Sequence, residues 1–183
     1  MLRDGFRIRF CDQESDAACL AALGAATFID TFSHLYKPDE LQKYLETSHS
    51  YGAAKQFLTS TDFGVWLCED RDDRAVGYCM AGKNKLPASN ACAHAGELSR
   101  LYCLRDYQNM GIGSALLTQA LAWLVARFDE VYLGVYQDNP SALRLYLRFG
   151  FEIVGEYEFY VGKHADQEYI LQYANQSGTN FAI

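Results

Sequence analysis

The sequence of 183 residues lacks any stretch approaching the roughly 18 consecutive apolar residues that a membrane-spanning helix needs. Its first residues include Arg3, Asp4 and Arg7, where a secretory signal peptide would require an apolar run. The chain is also short of positive charge, with 16 basic against 23 acidic residues and a formal net charge of −7. These absences argue against a membrane protein and against a surface that binds duplex DNA, and they predict a cytoplasmic protein.

Metal and redox motifs are missing as well. The six cysteines (Cys11, Cys19, Cys68, Cys79, Cys92 and Cys103) include no CxxC pair, and the four histidines share no metal-ligand spacing. Most of the cysteines lie in apolar stretches, where a free thiol behaves as a small buried hydrophobe. We therefore expect a reducing compartment and no metal ion.

The remaining composition is that of an ordinary globular protein. With 50% hydrophobic and 21% charged residues, a chain of this length can bury a full core without disulfides or metals. No linker, repeat or low-complexity block divides the sequence. We therefore expect one domain over residues 1–173, followed by a polar tail over residues 174–183.

Hydrophobic periodicity predicts helices and strands in a mixed order. A period-two strand over residues 6–10 precedes an Ala-rich helix over 15–32, for which Asp12 is the expected N-cap. Then follow two short helices (39–46 and 52–58), a β-hairpin (65–68 and 75–80), a strand (95–104), a helix (111–127), a strand (131–136), a helix (140–149) and a final strand pair (151–173). Alternation along 95–104 predicts one face with Glu97, Ser99, Leu101 and Cys103, and another with Leu98, Arg100, Tyr102 and Leu104.

One glycine-containing segment, Gln108-Asn109-Met110-Gly111-Ile112-Gly113-Ser114, joins a strand to the start of an amphipathic helix. Glycines let a ligand approach the backbone, and the free amides of a helix N-terminus favour an anion. The segment is not a dinucleotide fingerprint, because Leu116 stands where a glycine is required, and it lacks the Gly-Lys-Ser/Thr of a Walker A loop. Taken alone, it fits an ordinary strand-to-helix turn as well as a phosphate site.

A second segment, residues 134–151, reads GVYQDNPSALRLYLRFGF. Together the two segments resemble the GCN5-related N-acetyltransferase (GNAT) superfamily. The first is similar to its Gln/Arg-x-x-Gly-x-Gly/Ala pyrophosphate loop, and the second to its Asn-x-x-Ala-x-x-x-Tyr-x-x-x-Gly-Phe strand and helix. The loop departs from the commonest form at Asn109, where glycine is usual; if the position needs a positive φ, Asn tolerates it better than most residues.

The resemblance implies an α/β fold with a central mixed, mostly antiparallel sheet flanked by helices. The sheet would splay open between the strands ending at Cys103 and Tyr136, and acetyl-CoA would lie in the opening. The implied cofactor-binding residues are Leu101, Tyr102 and Cys103 along the pantetheine arm, Gln108, Asn109, Met110, Gly111, Ile112, Gly113 and Ser114 around the pyrophosphate, and Asn139, Ala142, Tyr146 and Arg148 from the next helix.

The same resemblance implies catalytic roles for two residues. Tyr146 would protonate the departing thiolate, a task that suits a phenol with a reference pKa near 10. Glu97 stands eleven residues before Gln108, where the histone-acetylating branch carries its base, although a solvated acid at a strand start fits it equally well. Cys103 is a candidate nucleophile, but its place beside the cofactor favours a backbone role, so we expect direct attack in a ternary complex.

Residues 27–44 are more weakly similar to bacterial enzymes that acetylate polyamines and other small amines. The similarity implies Phe28, Phe32, His34 and Tyr36 as the wall of the acceptor site; the alternative is core packing for the phenylalanines and a surface position for His34. We therefore predict an acetyl-CoA-dependent N-acetyltransferase with a small cationic amine as its partner, and neither nucleic acid nor a membrane. A protein N-terminal or lysine acetyltransferase and a non-catalytic acyl-CoA sensor are the alternatives, and the sequence leaves a homodimer open.

Overall fold

The computed structural model describes residues 2–174, and its elements follow the predicted order. The strands are β1 (Arg7–Phe10), β2 (Gly64–Glu69), β3 (Ala75–Lys83), β4 (Ala95–Cys103), β5 (Glu130–Tyr136), β6 (Phe151–Val161) and β7 (His164–Tyr173). The helices are α1 (Ala17–Phe32), α2 (Pro38–Ser48), α3 (Tyr51–Thr59), α4 (Ile112–Val125) and α5 (Pro140–Arg148). The predicted polar tail lies outside the described residues from position 175 onward.

The strands form one seven-stranded sheet in the order β1-β2-β3-β4-β5-β7-β6. Every neighbouring pair is antiparallel except β4 and β5, which are parallel. Helix α4 covers one face of the sheet through a row of buried leucines, while α1 and α3 cover part of the other. The predicted mixed, mostly antiparallel sheet flanked by helices is therefore confirmed. Within residues 2–174, no helix is both long and apolar enough to cross a bilayer.

The two parallel strands pair over a short length only. Their register runs from Ala95↔Glu130 to Leu98↔Leu133, after which β4 and β5 separate. Their outer edges continue to pair with β3 and β7, so both strands remain in the sheet. The sheet is thus splayed where the sequence predicts, and the backbone at the end of β4 faces the opening.

A β-bulge in β4 makes one prediction wrong. Met80 of β3 pairs with Arg100, and the next residue, Ala81, pairs with Leu98, so Ser99 is an extra residue on β4. A bulge of this kind breaks the strict alternation of side chains between the two faces of a strand. The predicted assignment of faces therefore fails on the N-terminal side of Ser99.

The bulge changes the face on which the start of β4 presents its side chains. Leu98 packs in the same hydrophobic core as Leu101 and Cys103, whereas the prediction put it on the opposite face. Because neighbours alternate, Glu97 then emerges on the other face, which also carries Tyr102. We call this face, which α1 and α3 partly cover, the acceptor face, after the acceptor site that the resemblance implies beside α1.

The predicted start of the first helix is also wrong. Glu14–Asp16 form a 3₁₀ turn, α1 begins at Ala17, and Asp12 does not cap it. The Asp16 carboxylate instead accepts hydrogen bonds from the Arg9 guanidinium at 2.6 and 2.9 Å. This ion pair joins the helix to β1, a contact that local helix signals do not reveal.

Candidate active site

The opening between β4 and β5 leads into a cleft with a volume of about 1380 Å³. All the residues that the sequence analysis named for the cofactor, from Leu101 to Arg148, line this cleft. Ligand pockets for drug-sized molecules have volumes of roughly 300–1,000 Å³, so the cleft is large enough for an elongated ligand.

The loop before α4 presents backbone amides to the cleft. Gly111 is the N-cap residue with φ of +86°, and no side chain caps the helix. The amide of Ala115 donates to the Gly111 carbonyl at 3.0 Å, and the three preceding amides have no intrahelical acceptor. The amides of residues 112–114 and the helix dipole therefore form an anion-binding surface.

Asn109 has the backbone conformation that the glycine usual in this loop would provide. Its φ is +61°, and Asp73 is the other non-glycine residue with positive φ among residues 2–174. Asn enters the left-handed region more readily than most residues, because its short amide group bonds locally. The substitution therefore preserves the shape of the loop.

Positive charge is concentrated along the cleft of this acidic protein. The charged residues that line it, within the described part of the chain, are Arg3, Arg105, Arg144, Arg148, Asp30 and Asp138. Arg148 donates to the Ser114 hydroxyl at 3.1 Å, which holds its guanidinium beside the first turn of α4. The phosphate groups of an anionic ligand could therefore be held here despite the net charge of −7.

Helix α5 is held in place at its start by Asn139. The side-chain oxygen of Asn139 accepts a hydrogen bond from the Ala142 amide at 3.1 Å, which makes Asn139 the N-cap. Its amide nitrogen is not used by this cap. Asn139 can therefore cap the helix and still donate to a ligand in the cleft.

Tyr146, on α5, is 6% exposed and also lines the cleft. Its ring packs edge-on against Phe151 at 6.0 Å. Burial raises the pKa of Tyr146, and the negative charge of Glu168 adds to this effect. The phenol is therefore a proton donor at neutral pH.

Cys103 is half-buried at the end of β4. Burial raises the pKa of its thiol to about 12. Because the thiolate is the nucleophilic form, a thiol with this pKa reacts poorly at neutral pH. The environment of Cys103 therefore does not favour covalent catalysis.

The four aromatic candidates on the acceptor side separate into two pairs. Phe32 lines the cleft and contacts the rings of Tyr102 at 6.4 Å and Tyr136 at 6.1 Å; His34 is exposed at the edge of the cleft. Phe28 and Tyr36 stack on each other at 6.0 Å and are buried outside the cleft lining. The structure therefore brings Phe32 and His34 to the cleft and leaves the other two in the hydrophobic packing behind it.

Glu97 is half-buried and is not part of the cleft lining. Its carboxylate accepts a hydrogen bond from the Lys85 amide at 2.7 Å, in the loop between β3 and β4. Burial raises the pKa of Glu97 against the opposing effect of that hydrogen bond. Glu97 is thus not a freely solvated acid.

A second carboxylate on the acceptor face, Glu168 of β7, was missed by the sequence analysis. It pairs in register with Tyr136 and accepts a hydrogen bond from the Tyr157 hydroxyl at 2.6 Å. A Cβ added at Gly134 would lie 2.7 Å from both Glu168 Oε2 and the Tyr157 oxygen. Gly134 directly follows Leu133, the last residue of β5 that pairs with β4. Glu168 therefore lies at the point where β4 and β5 separate, which we call the apex of the opening.

The surroundings of Glu168 favour its protonated form. Burial raises its pKa to about 7, with further increases from Asp166 and Glu97 and an opposing effect of the Tyr157 hydrogen bond. A carboxylate with a pKa near the working pH is suited to proton transfer.

Within residues 2–174, no group of three or more His, Cys, Asp or Glu side chains is placed to hold a metal ion.

Comparison with known proteins identifies the family. A model of the acetyltransferase (GNAT) family matches residues 29–151. The chain belongs to the GNAT family. An uncharacterized N-acetyltransferase of Mycobacterium tuberculosis is 31% identical over 161 residues, which cover 86% of this chain and 96% of that protein.

Two further acetyltransferases are similar to this chain, one over part of its sequence and one in its fold. The spermine/spermidine N(1)-acetyltransferase of Bacillus subtilis is 34% identical over 64 residues, 34% of this chain and 42% of that protein. The PaiA N-acetyltransferase of Thermoplasma acidophilum, solved in complex with coenzyme A, has a TM-score of 0.71 at 17% identity and covers 91% of this chain and 98% of its own. The fold and family predicted from the sequence are confirmed, and the protein is an acetyl-CoA-dependent N-acetyltransferase.

Proposed function

We propose that this GNAT enzyme acetylates a small cationic amine, such as a polyamine, by direct attack of the amine in a ternary complex. The observation that carries the proposal is the meeting of aromatic rings and carboxylates beside the cleft. Phe32 and Tyr136 lie next to each other, and Glu168 pairs with Tyr136 across β5 and β7. Aromatic faces attract an alkylammonium ion by about 0.5–2 kcal/mol, and a carboxylate offsets its charge.

The cofactor half of the site supports the same reaction. The pyrophosphate of acetyl-CoA would lie on the amides of residues 112–114, beside Arg148, and the pantetheine arm would run along residues 101–103. This placement directs the thioester toward the point where β4 and β5 separate. Acetyl-CoA supplies the activated acetyl group, and the residues of this chain supply orientation and proton transfer.

Tyr146 is the group that we propose as the general acid. It reaches the cleft from α5, and burial keeps its phenol protonated. The base predicted from the sequence is Glu97, which shares the acceptor face with Glu168. The raised pKa of Cys103 supports direct transfer over an acetyl-cysteine intermediate.

Two independent features support a cationic acceptor. The formal charge of −7 creates a field that attracts polycations, which raises their association rate at low salt. The local similarity to the B. subtilis spermine/spermidine enzyme favours the same class of substrate, although it covers a third of the chain.

The test is thiol release from acetyl-CoA with a panel of polyamines, amino acids, aminoglycosides and short peptides. We expect polyamines to give the highest kcat/KM, and this value to fall as salt rises, because charge interactions are screened beyond about 8 Å at 0.15 M. Preference for neutral or anionic amines at every salt concentration would refute the proposal. Preference for peptides would instead favour a protein-directed enzyme.

A further inference from the structure

We propose that Glu168 is the general base that takes the proton from the acceptor ammonium, and that Tyr157 and Glu97 position and tune it. This inference rests on the proposed transfer to an amine. It assigns the base to β7, which is outside both sequence motifs. It also changes the role of Glu97, which would no longer take the proton itself but would lie near the base and influence it.

The first support is the position of Glu168 relative to the opening. Gly134 has no side chain, and the space that its Cβ would fill is occupied by the Glu168 carboxylate and the Tyr157 hydroxyl. Because Gly134 follows the last residue of β5 that pairs with β4, both groups lie over the backbone where these two strands separate. A thioester in the opening would therefore have Glu168 on one side.

The second support is the arrangement of acid and base. Tyr146 belongs to the core on the α4 face of the sheet, whereas Glu168 lies on the acceptor face with Tyr136. The charge of Glu168 nevertheless contributes, after burial, to the raised pKa of Tyr146. The two groups thus lie on opposite faces of the sheet beside the opening, as a proton acceptor for the amine and a proton donor for the sulfur require.

The third support is the contrast with Glu97. Neither carboxylate belongs to the cleft lining, but their positions along the sheet differ. Glu97 pairs with Tyr132 where β4 and β5 are still joined and accepts a hydrogen bond from the Lys85 amide at 2.7 Å, whereas Glu168 lies beside Gly134, where the two strands have separated. Its negative charge raises the pKa of Glu168 and of Tyr157. Glu97 therefore acts on the reaction through Glu168.

Several titratable groups on the surrounding elements interact electrostatically with Glu168. They are Glu97 and Tyr102 on β4, Tyr44 on α2, Tyr36 before α2, Tyr146 on α5, Tyr157 on β6 and Asp166 on β7. Arg100 shares the acceptor face, but it donates to the Ser48 carbonyl at 2.9 Å and stacks on Phe57 at 5.6 Å. Its guanidinium is thus engaged by the helices, and the carboxylates around Glu168 raise its proton affinity.

This placement gives a balanced sequence of proton transfers for one acetyl transfer. An N–H bond of the ammonium breaks, an O–H bond forms on Glu168, and the freed nitrogen electron pair attacks the thioester carbon. The C–S bond then breaks with its electron pair on sulfur, and Tyr146 gives its proton to that sulfur. The acetylated nitrogen loses a second proton, which restores the phenol. Glu168 releases the first proton to solvent, so each turnover yields one proton.

The experiment compares pH profiles of kcat/KM for the best acceptor of the panel. Glu168→Gln should lower kcat/KM roughly a hundredfold near pH 7, and the deficit should shrink at high pH as free amine accumulates. The matched control is Glu156→Gln, the same change at an exposed position of the neighbouring strand β6, which should match the wild type. The affinity for CoA should be unchanged in both variants.

Two neighbouring substitutions should move the acidic limb of the profile in opposite directions. Tyr157→Phe removes a hydrogen bond that stabilises the Glu168 carboxylate, so the limb should shift to higher pH. Glu97→Gln removes a neighbouring negative charge, so the limb should shift to lower pH. A purely structural Glu97 or Tyr157 would leave the limb in place.

The outcomes separate this inference from the proposed function. If amines are acetylated but Glu168→Gln equals the wild type, or if Glu97→Gln shows the pH-rescued defect instead, Glu168 is not the base and the proposed function still stands. If no amine of the panel is acetylated, the proposed function fails and the inference falls with it. If Glu168→Gln does not fold, Gly134→Ala provides a second test. It keeps the Glu168 and Glu97 carboxylates but displaces that of Glu168, and it should lower kcat without weakening CoA binding.

Discussion

Gly113 is the second residue of α4, at the surface where the pyrophosphate of acetyl-CoA would lie. Gly113→Asp places a carboxylate on that surface. A Cβ at this position would meet Leu145 Cδ2 at 3.6 Å, an ordinary van der Waals contact, so the fold should accept the change. Acidic residues are also favourable in the first turn of a helix, because they complement its dipole. The variant therefore tests the anion site with little effect on stability.

The expected loss of affinity follows from two effects. Two unit charges 4 Å apart repel by about 4 kcal/mol at the effective dielectric constant typical of a protein surface. Loss of a hydrogen bond to a charged group costs about 1.5–3 kcal/mol. Because the new side chain can rotate away from the phosphates, we expect a net loss of about 2–4 kcal/mol, which is roughly a 30- to 700-fold increase in Kd.

Calorimetric titration with CoA measures this change directly. The matched control is Gly52→Asp, which makes the same substitution at the second residue of α3, where a Cβ would meet Ser50 Oγ at 3.9 Å. Gly52→Asp should bind CoA as the wild type does. A Gly113→Asp protein with a native circular dichroism spectrum and a Kd within about threefold of wild type would refute the placement of the pyrophosphate.

Three further predictions follow from the site. Tyr146→Phe keeps the ring packing but removes the proton, so CoA affinity should persist while kcat falls roughly a hundredfold; near-normal turnover with a rate-limiting chemical step would assign Tyr146 to core packing. Asn109→Val should destabilise the fold by about 1–3 kcal/mol in urea unfolding because φ is +61°, whereas Asn109→Gly should be tolerated; equal midpoints would contradict this. Raising salt should lower kcat/KM for a polyamine more than for a monoamine, and parallel declines would argue against field-assisted association.

The cofactor side of the site could be predicted because its chemistry is local in sequence. A contiguous segment, residues 108–114, provides both the left-handed turn and the free amides of α4. The Asn139 cap and Tyr146 likewise belong to a single helix with fixed spacing. A sequence motif reflects the local backbone geometry of its segment, and these two segments both line one cleft.

The acceptor side could not be predicted in the same way, because it depends on contacts between distant segments. Glu168 reaches the apex through the pairing of β7 with β5, and no residue near it in sequence marks that position. The face of Glu97 depends on the bulge at Ser99, which only the pairing of β3 with β4 reveals. The wrong N-cap at Asp12 has a more local origin, since Arg9 of β1 binds Asp16, seven residues further along the chain.

Rapid-quench mass spectrometry after mixing the enzyme with acetyl-CoA and a linear polyamine tests the central claim most directly. It follows acetyl groups on the amine and on the protein in the same samples. The account predicts that N-acetylated polyamine appears from the first turnover without an acetylated protein species, because Cys103 is protonated and transfer is direct. Acetyl groups that appear first on Cys103, or an amine that stays unmodified while CoA is released, would contradict it.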